Sequence, residues 1–414
     1  MNLERLNSWH ADWSKTKVLV FGLGVSGFAA TDTLVELGAE VLVLADNADA
    51  EHLDILNVFG VKYSIGKTIE ENLEEFRVFA PELFIVSPGI RPDNPLVRKA
   101  VERGIPVWTE VDLAWRLKDK WGNSSKWICI TGTNGKTTVT HLVAHLLAAA
   151  GLDAPMCGNV GHSAAELALE RQNPGQQPPD WLVVELSSYQ IEQSPELTPA
   201  IAVWTTLTPD HLERHGSLEH YRAIKRRLLE NAPVRILNGD DADLRSRAAS
   251  WQGATWITAG DPDDLPSTIQ PSLWIRDGQV MAGSGPLFAA DALAMPGAHN
   301  RQNMLLATAV ALGALAPALC PTPVAAQSRA ELDKVLRRKV LANGLDRRTL
   351  SNVEDKWIKT RFVIDEWMET GRLKPREDWP RAKQNMIRGN FNLGYKEAGK
   401  AEVIEKGVRT GRIA

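Results

Sequence analysis

The sequence predicts an α/β protein in which two domains of strands alternating with helices precede a mostly helical C-terminal segment. Three observations predict it. Near residues 17–46 and again near 128–150, an apolar strand runs through a glycine turn into a helix. Between them, residues 118–126 are polar and carry Gly122, Asn123, Ser124 and Ser125, the composition of a linker. After Pro321-Thr322-Pro323 the strand pattern stops and charged helical patterns begin. We therefore expect domains at residues 1–120, 121–326 and 327–414.

In the first stretch, Lys17-Val18-Leu19-Val20-Phe21 enters Gly22-Leu23-Gly24-Val25-Ser26-Gly27, and a helix runs from there towards Gly38. The strand Glu40-Val41-Leu42-Val43-Leu44 follows and ends near Asp46. Strand, glycine turn, helix, strand and a late acidic residue make the Rossmann layout, which would place a pyrophosphate at the helix N-terminus. The glycine pattern alone does not choose the ligand. A nicotinamide cofactor is the obvious competitor, and a purely structural turn is the plain alternative. Leu83-Phe84-Ile85-Val86 is a further strand, ending at Ser87-Pro88-Gly89-Ile90. Ser87 there suits a phosphate, or serves only as a local cap. Ile105-Pro106-Val107-Trp108 is expected as another strand.

The second stretch is Ile128-Cys129-Ile130-Thr131 followed by Gly132-Thr133-Asn134-Gly135-Lys136-Thr137-Thr138 and a helix to about Ala150. Backbone N–H groups of such a turn form an anion nest, and the helix N-terminus adds its partial positive charge. Lys136 supplies a full charge and Thr137 a hydroxyl for Mg²⁺. The general P-loop pattern has four residues between its glycines, whereas Gly132 and Gly135 are separated by two. A mere strand-to-helix connector would lack the Lys-Thr pair at the helix start.

Downstream, Met156-Cys157-Gly158-Asn159-Val160-Gly161 is a turn that lets a ligand approach backbone. Trp181-Leu182-Val183-Val184-Glu185 is a strand whose terminal carboxylate is placed to hold Mg²⁺. Ala202-Val203-Trp204-Thr205-Thr206-Leu207 leads to Thr208-Pro209-Asp210-His211-Leu212-Glu213-Arg214-His215. A lone histidine there would be a cap; the charged cluster at a strand end raises His211 to a site candidate. The helix from Ser217 to Asn231 carries Lys225, a position that would ordinarily be solvated. Val234-Arg235-Ile236-Leu237-Asn238 is a strand, and Pro296-Gly297-Ala298-His299-Asn300 opens the apolar stretch from Met304 to Cys320. Pro317 interrupts that stretch, which reads as a buried helix and not a membrane span.

Composition is that of a soluble globular chain: 414 residues, with 47 Lys and Arg against 51 Asp and Glu. Three widely spaced cysteines indicate neither a disulfide framework nor a thiolate zinc site, and suit a reducing cytoplasm. Met1-Asn2-Leu3-Glu4-Arg5 shows no signal-peptide pattern. Charge is uneven: residues 327–414 hold 21 basic and 13 acidic side chains, and all of the net negative charge lies before them.

Taken together, the Gly22 to Gly27 turn, Ser87-Pro88-Gly89-Ile90, the Gly-Thr-Asn-Gly-Lys-Thr loop, Gly158-Asn159-Val160-Gly161, Glu185-Leu186-Ser187-Ser188-Tyr189-Gln190, the Pro209-Asp210-His211 segment, Lys225 and His299-Asn300 with Asn303 carry a resemblance. About residues 10–315 resemble the Mur ligases of peptidoglycan synthesis, and among them those that add D-glutamate to UDP-N-acetylmuramoyl-L-alanine. Folylpolyglutamate synthases share the phosphate loop, but the Glu-Leu-Ser-Ser and Pro-Asp-His combinations favour the D-glutamate-adding enzymes. The resemblance implies a monomeric cytoplasmic enzyme, without nucleic acid or membrane as partner of these domains. ATP would phosphorylate the substrate carboxylate, and the D-glutamate amine would displace phosphate. It further implies Gly132, Thr133, Asn134, Gly135, Lys136, Thr137, Thr138 and Asn303 on ATP, and Gly24, Val25, Ser26, Ser87, Asn159 and His211 on the UDP substrate. Thr137 and Glu185 would hold one Mg²⁺, and His211 with a carbamylated Lys225 a second, with Lys136, His211 and Lys225 catalytic. The first glycine turn would then bind UDP, although Asn47-Ala48 after Asp46 offers no basic contact for uracil.

A third, Rossmann-like domain that would bind the incoming amino acid has no counterpart in the pattern of residues 327–414. Ser328-Arg329-Ala330-Glu331 and Ser351-Asn352-Val353-Glu354 read as capping boxes, with Val353, Trp357, Ile364, Trp367 and Met368 on a helix stripe. A basic tail with interleaved aromatics suits nucleic acid; a small helical segment without a ligand is the plainer reading. The expectation from this pattern is nucleotide binding with weak or no ligation, and the competing class is a non-catalytic nucleotide-binding remnant with a partner-binding tail.

Overall fold

The computed structural model describes residues 6–319 apart from 121–124, 166, 168–177, 284, 293–294 and 296. Its first half runs β1 (Lys17–Phe21), α1 (Val25–Glu36), β2 (Glu40–Ala45), α2 (Ala50–Phe59), β3 (Lys62–Ile65), α3 (Ile69–Phe79), β4 (Leu83–Val86), α4 (Pro95–Glu102) and β5 (Val107–Trp108). The strands pair in the order β3-β2-β1-β4-β5, all parallel. Helices cover both faces, so β1 and β4 are almost continuously apolar and buried. Local signals set the helix starts. Thr68 and Glu71 close a capping box on α3, and Asn94 caps α4 with Pro95 in its first turn. Strand order reverses between β1 and β4, and their carboxyl ends bear the Gly22 turn and Ser87, the crevice where such sheets take ligands.

Helix α5 (Glu110–Arg116) joins the halves. Its Val111 and Ala114 pack into the second core while Leu113 belongs to the first. Polar groups cross here under cover: Thr109 Oγ1 lies 2.9 Å from Ser194 Oγ, and Glu110 Oε1 accepts from Ala165 N at 2.6 Å. Asp112 accepts from Thr109 N to complete a capping box. It is buried, and that burial raises its carboxyl to about 7.

The second half runs β6 (Lys126–Thr131), α6 (Lys136–Ala149), β7 (Met156–Gly158), β8 (Trp181–Glu185), α7 (Ser188–Glu192), β9 (Ile201–Trp204), α8 (Leu212–His215), α9 (Leu218–Glu230), β10 (Val234–Asn238), α10 (Ala242–Ser246), β11 (Thr255–Thr258), β12 (Pro271–Arg276), β13 (Gln279–Ala282), β14 (Gly285–Ala289) and α11 (Ala298–Leu319). The order is β14-β13-β12-β11-β10-β9-β6-β8-β7, parallel from β7 to β12 and antiparallel for the last two pairings. Helices α6 and α11 pack on one face, and α9 on the other. Residues Met304 to Ala311 are almost wholly buried on that first face, and none of the described helices is long and apolar enough to cross a membrane.

The strands β11 to β14 extend the sheet beyond what the sequence pattern indicated. Their cue was small: Asp277-Gly278, with φ of 50° and 70°, is a two-residue hairpin turn joining β12 to β13. The expected capping boxes at Ser328 and Ser351 and the basic tail lie outside the described residues.

Asp112 sets a pH dependence. Its folded-state pKa of about 7 lies above the unfolded carboxylate value of about 4, so the folded protein binds the extra proton between them. Stability from this group is present below about pH 4 and is lost as pH rises towards about 7. Asp112→Asn, which has no proton to lose, is expected to gain on the parent across that window with a slope of up to ~1.4 kcal/mol per pH unit, measured by urea unfolding.

Candidate active site

Three adjacent strands build the site. Because β6 pairs in parallel with β8 on one side and β9 on the other, their carboxyl ends lie side by side. The phosphate loop leaves β6, Glu185 ends β8, and the segment from Thr205 to His215 leaves β9.

The loop is clamped from the β9 side. Thr133 N donates to Thr206 O at 2.8 Å, Asn134 N to Thr206 Oγ1 at 2.9 Å, and Thr205 Oγ1 to Asn134 O. Thr133 Oγ1 exchanges hydrogen bonds with Thr208 backbone and lies 3.4 Å from the Tyr221 hydroxyl. Gly132 is demanded by this closeness: at φ 148°, a Cβ there would fall 1.9 Å from Thr205 Oγ1 and 3.0 Å from Thr206 N. The α6 N-terminus, by contrast, has no side-chain cap, with Gly135 at the N-cap and Thr137 exposed in the first turn. Uncapped N–H groups at the end of a 14-residue helix make an anion site. Thr138 stands half-buried in the same turn. Asn303 in α11 is buried so close behind the loop that a Cβ on Gly135 would lie 2.6 Å from its Oδ1.

Two lysines meet at the loop. Lys136 Nζ folds back on Gly132 O at 3.1 Å and Thr133 O at 3.0 Å. Burial lowers its pKa, opposed by Glu185 and Asp210. Lys225, at a position where a lone lysine would ordinarily be solvated, is 1% exposed, because α9 turns Tyr221, Ile224, Lys225 and Leu228 to one buried side. Its Nζ donates to Thr131 Oγ1 at 3.2 Å and Gly132 O at 3.1 Å, beside the Tyr221 ring. Burial, with a further push from Lys136, brings its ammonium down to about 7.

Glu185 is 2% exposed. Asn159 Nδ2 donates to its Oε1 at 3.0 Å, while Oε2 has no partner. A buried carboxylate oxygen left unpaired beside a phosphate loop fits a hard cation. Asn159, expected at the sugar nucleotide, is thus also the residue that orients Glu185. His211 is exposed, with φ 51°, its ring 3.5 Å from Asp210 and 3.7 Å from Glu213 and facing Tyr189. Thr205, Thr206 and Tyr221 contact the loop and were not singled out from sequence, while Asp210, which acts on both lysines, was read only as part of the Pro209-Asp210-His211 segment.

At the first sheet, Gly22, Leu23, Gly24, Val25 and Ser26 line a cleft of about 330 Å³ with Asp46, Asn47, Ser87 and Ile90. The α1 N-terminus there lacks a side-chain cap. Ser87 Oγ donates to Gly22 O at 3.2 Å, and a Cβ on Gly27 would lie 1.8 Å from that same carbonyl. The two clefts are linked: Arg214 Nη1 donates to Pro88 O at 2.9 Å, and Arg91 Nη1 to Glu213 O at 3.2 Å.

Residues 16–109 match the Mur ligase MurD-like N-terminal domain, and residues 130–311 the Mur ligase middle domain. The chain belongs to the Mur ligase family. Among its relatives, the UDP-N-acetylmuramoylalanine--D-glutamate ligase of Prochlorococcus marinus (strain MIT 9313) is 47% identical over 300 residues, 71% of this chain and 64% of that protein. The enzyme of the same name from Parasynechococcus marenigrum (strain WH8102) is 48% identical over 305 residues, 71% of this chain and 63% of that protein. This Mur ligase chain thus spans just under two thirds of the length of the curated relatives it matches. Among solved structures, UDP-N-acetylmuramate:L-alanyl-gamma-D-glutamyl-meso-diaminopimelate ligase from Neisseria meningitides covers 77% of this chain at 18% identity, with a TM-score of 0.49 and 97% of that chain covered.

The loop clamp gives a direct test. Gly132→Ala is expected to cost on the order of 1–3 kcal/mol of stability and to weaken triphosphate binding. Adding Thr205→Ala, which removes the hydroxyl in the way, should recover part of the loss in chemical denaturation.

Proposed function

We propose that the chain is an ATP-dependent amide ligase that joins D-glutamate to UDP-N-acetylmuramoyl-L-alanine. The observation that carries this reading is the meeting, at one sheet edge, of an uncapped helix N-terminus, Lys136, buried Lys225 and the unpaired Glu185 oxygen. The names of the relatives supply the substrates, since the enzymes that match 71% of this chain at 47–48% identity are named as D-glutamate ligases. In this reading residues 1–120 bind the UDP portion at Gly24, Val25, Ser26 and Ser87, and residues 121–326 bind ATP. The protein would work as a monomer in the cytoplasm, where ATP is available.

In the reaction, a carboxylate oxygen of the UDP substrate attacks the γ-phosphorus of ATP and the β–γ bridging bond breaks, giving an acyl phosphate and ADP. The D-glutamate nitrogen then attacks the acyl carbon, its proton is lost, and the C–O bond to phosphate breaks. The α6 N-terminus and Gly132 to Thr138 hold the transferring phosphoryl group, and Lys136 leaves the Gly132 and Thr133 carbonyls to meet the charge that develops there. Mg²⁺, bound by Thr137 and Glu185 and, at a second position, by His211 and carbamylated Lys225, would neutralise phosphate oxygens. A pKa of about 7 leaves much of the Lys225 amine unprotonated near neutrality, the form that captures carbon dioxide as a carbamate. Asn159 keeps Glu185 oriented, and Asn303, buried behind the loop, would face the adenine of ATP.

The test is phosphate release from ATP in the presence of UDP-N-acetylmuramoyl-L-alanine, with and without D-glutamate. Its readout is the dependence on D-glutamate, since the chain spans only part of its relatives' length. Release that requires D-glutamate and falls by about a hundredfold or more in Lys136→Ala supports the proposal. Release indifferent to D-glutamate, or equally supported by L-glutamate, contradicts it. Lys225→Arg, which puts a permanent cation where the carbamate would form, is expected to lower kcat by on the order of a hundredfold.

A further inference from the structure

A second cluster of ligating side chains has no part in this chemistry. The end of α7, the end of α8 and the first turn of α9 bring together Glu192, His215 and His220. Glu192 Oε1 lies 3.7 Å from His215 Nδ1 and 3.6 Å from His220 Nε2, and all three atoms fall within 4.8 Å of one another. Ligands of a tetrahedral ion bound at about 2.0–2.1 Å stand about 3.3–3.4 Å apart, so small side-chain rotations close the set.

The individual groups are poised for this. The His215 side chain is fully buried, yet its Nδ1 has no hydrogen-bond partner. Its other nitrogen, Nε2, lies 2.9 Å from Ser188 Oγ. With Nε2–H donating to that hydroxyl, Nδ1 carries a lone pair facing the cluster, as a metal-bound imidazole is usually held by an outer partner. Glu192 divides its two oxygens. Oε2 accepts from Arg214 at 3.1 and 3.3 Å, leaving Oε1 for the histidines. His220 is 57% exposed, which gives an ion a way in and leaves an open position for water.

The geometry points to a transition-metal site in which His215 Nδ1, His220 Nε2 and Glu192 Oε1 bind a divalent ion of borderline softness such as Zn²⁺. Two imidazoles and one carboxylate select against Mg²⁺, which prefers an all-oxygen shell, so this site is chemically distinct from the cation position at Glu185. An ion here would cross-link α7, α8 and α9 around Gly216-Ser217. Through Arg214 it would also brace the contact with Pro88 O. The assignment rests on these side chains alone and stands whether or not the chain is a D-glutamate ligase.

The chelator-stripped full chain, in excess Mg²⁺, is titrated with Co²⁺ and followed by visible absorption, then competed with Zn²⁺. The expected result is one Co²⁺ per chain with low-symmetry ligand-field bands that Zn²⁺ abolishes. His220→Ala alters an exposed residue and leaves the core intact. It is expected to weaken Co²⁺ binding by about a hundredfold, and Ser188→Ala, which removes only the outer partner, by about tenfold. His10→Ala, at an exposed histidine on the first domain, serves as the unchanged control. Equal Co²⁺ binding by parent and His220→Ala overturns the proposal. So does Co²⁺ binding that Glu185→Gln removes and His220→Ala does not, because the ion would then sit at the phosphate loop.

Discussion

The parallel pairing of β6 with β8 on one side and β9 on the other is the constraint on which the site depends. In a parallel sheet every strand delivers its carboxyl end to the same edge. Neighbouring strands in the middle of the sheet therefore place their following loops within reach of one another. That is how residues some 50 to 75 positions apart in sequence come to share hydrogen bonds around Gly132 to Asn134. The loop has its shape because Thr205 and Thr206 hold it, and Gly132 is there because they leave no room for a side chain.

Charge follows from the same arrangement. Lys136 and Lys225 both bond to Gly132 O, so two ammonium groups compete for one carbonyl at the base of the loop. Their repulsion adds to the burial that brings Lys225 down to about 7, and Asp210 acts in the opposite direction on both. Glu185 contributes a carboxylate held by Asn159 through one oxygen and unpaired at the other. Such a set is unfilled on its own: two lysines spend their donors on loop carbonyls, and one carboxylate oxygen has no hydrogen-bond partner. A phosphate chain with its divalent ion satisfies both needs at once.

Much of this was legible in the sequence because it is written locally. The glycine turns, the apolar strands before them and the Lys136-Thr137 pair follow one another in the chain, and each reports a backbone requirement. What was not legible depends on which elements become neighbours. Nothing near Lys225 says that its face of α9 is the buried one, directly under Thr131 and Gly132. Thr205, Thr206 and Tyr221 look like ordinary polar residues until β9 is laid beside β6. Asn159 gives its amide to Glu185 across a pairing of β7 with β8 that local periodicity does not specify. The late strands are short, β12 to β14 mostly half-buried, so their alternation is faint, and the Asp277-Gly278 turn marks only the join of β12 to β13. Glu192, His215 and His220 were likewise scattered over three helices until the fold assembled them.

The central claim is that Glu185 and the phosphate loop form one site for a triphosphate and its cation. Its most direct test is the affinity of a non-hydrolysable ATP analogue, measured by calorimetry with and without Mg²⁺ for the parent chain and for Glu185→Gln. The account predicts that Mg²⁺ tightens binding to the parent, and that Glu185→Gln loses this enhancement while keeping its Mg²⁺-free affinity. An equal Mg²⁺ enhancement in both proteins would contradict it.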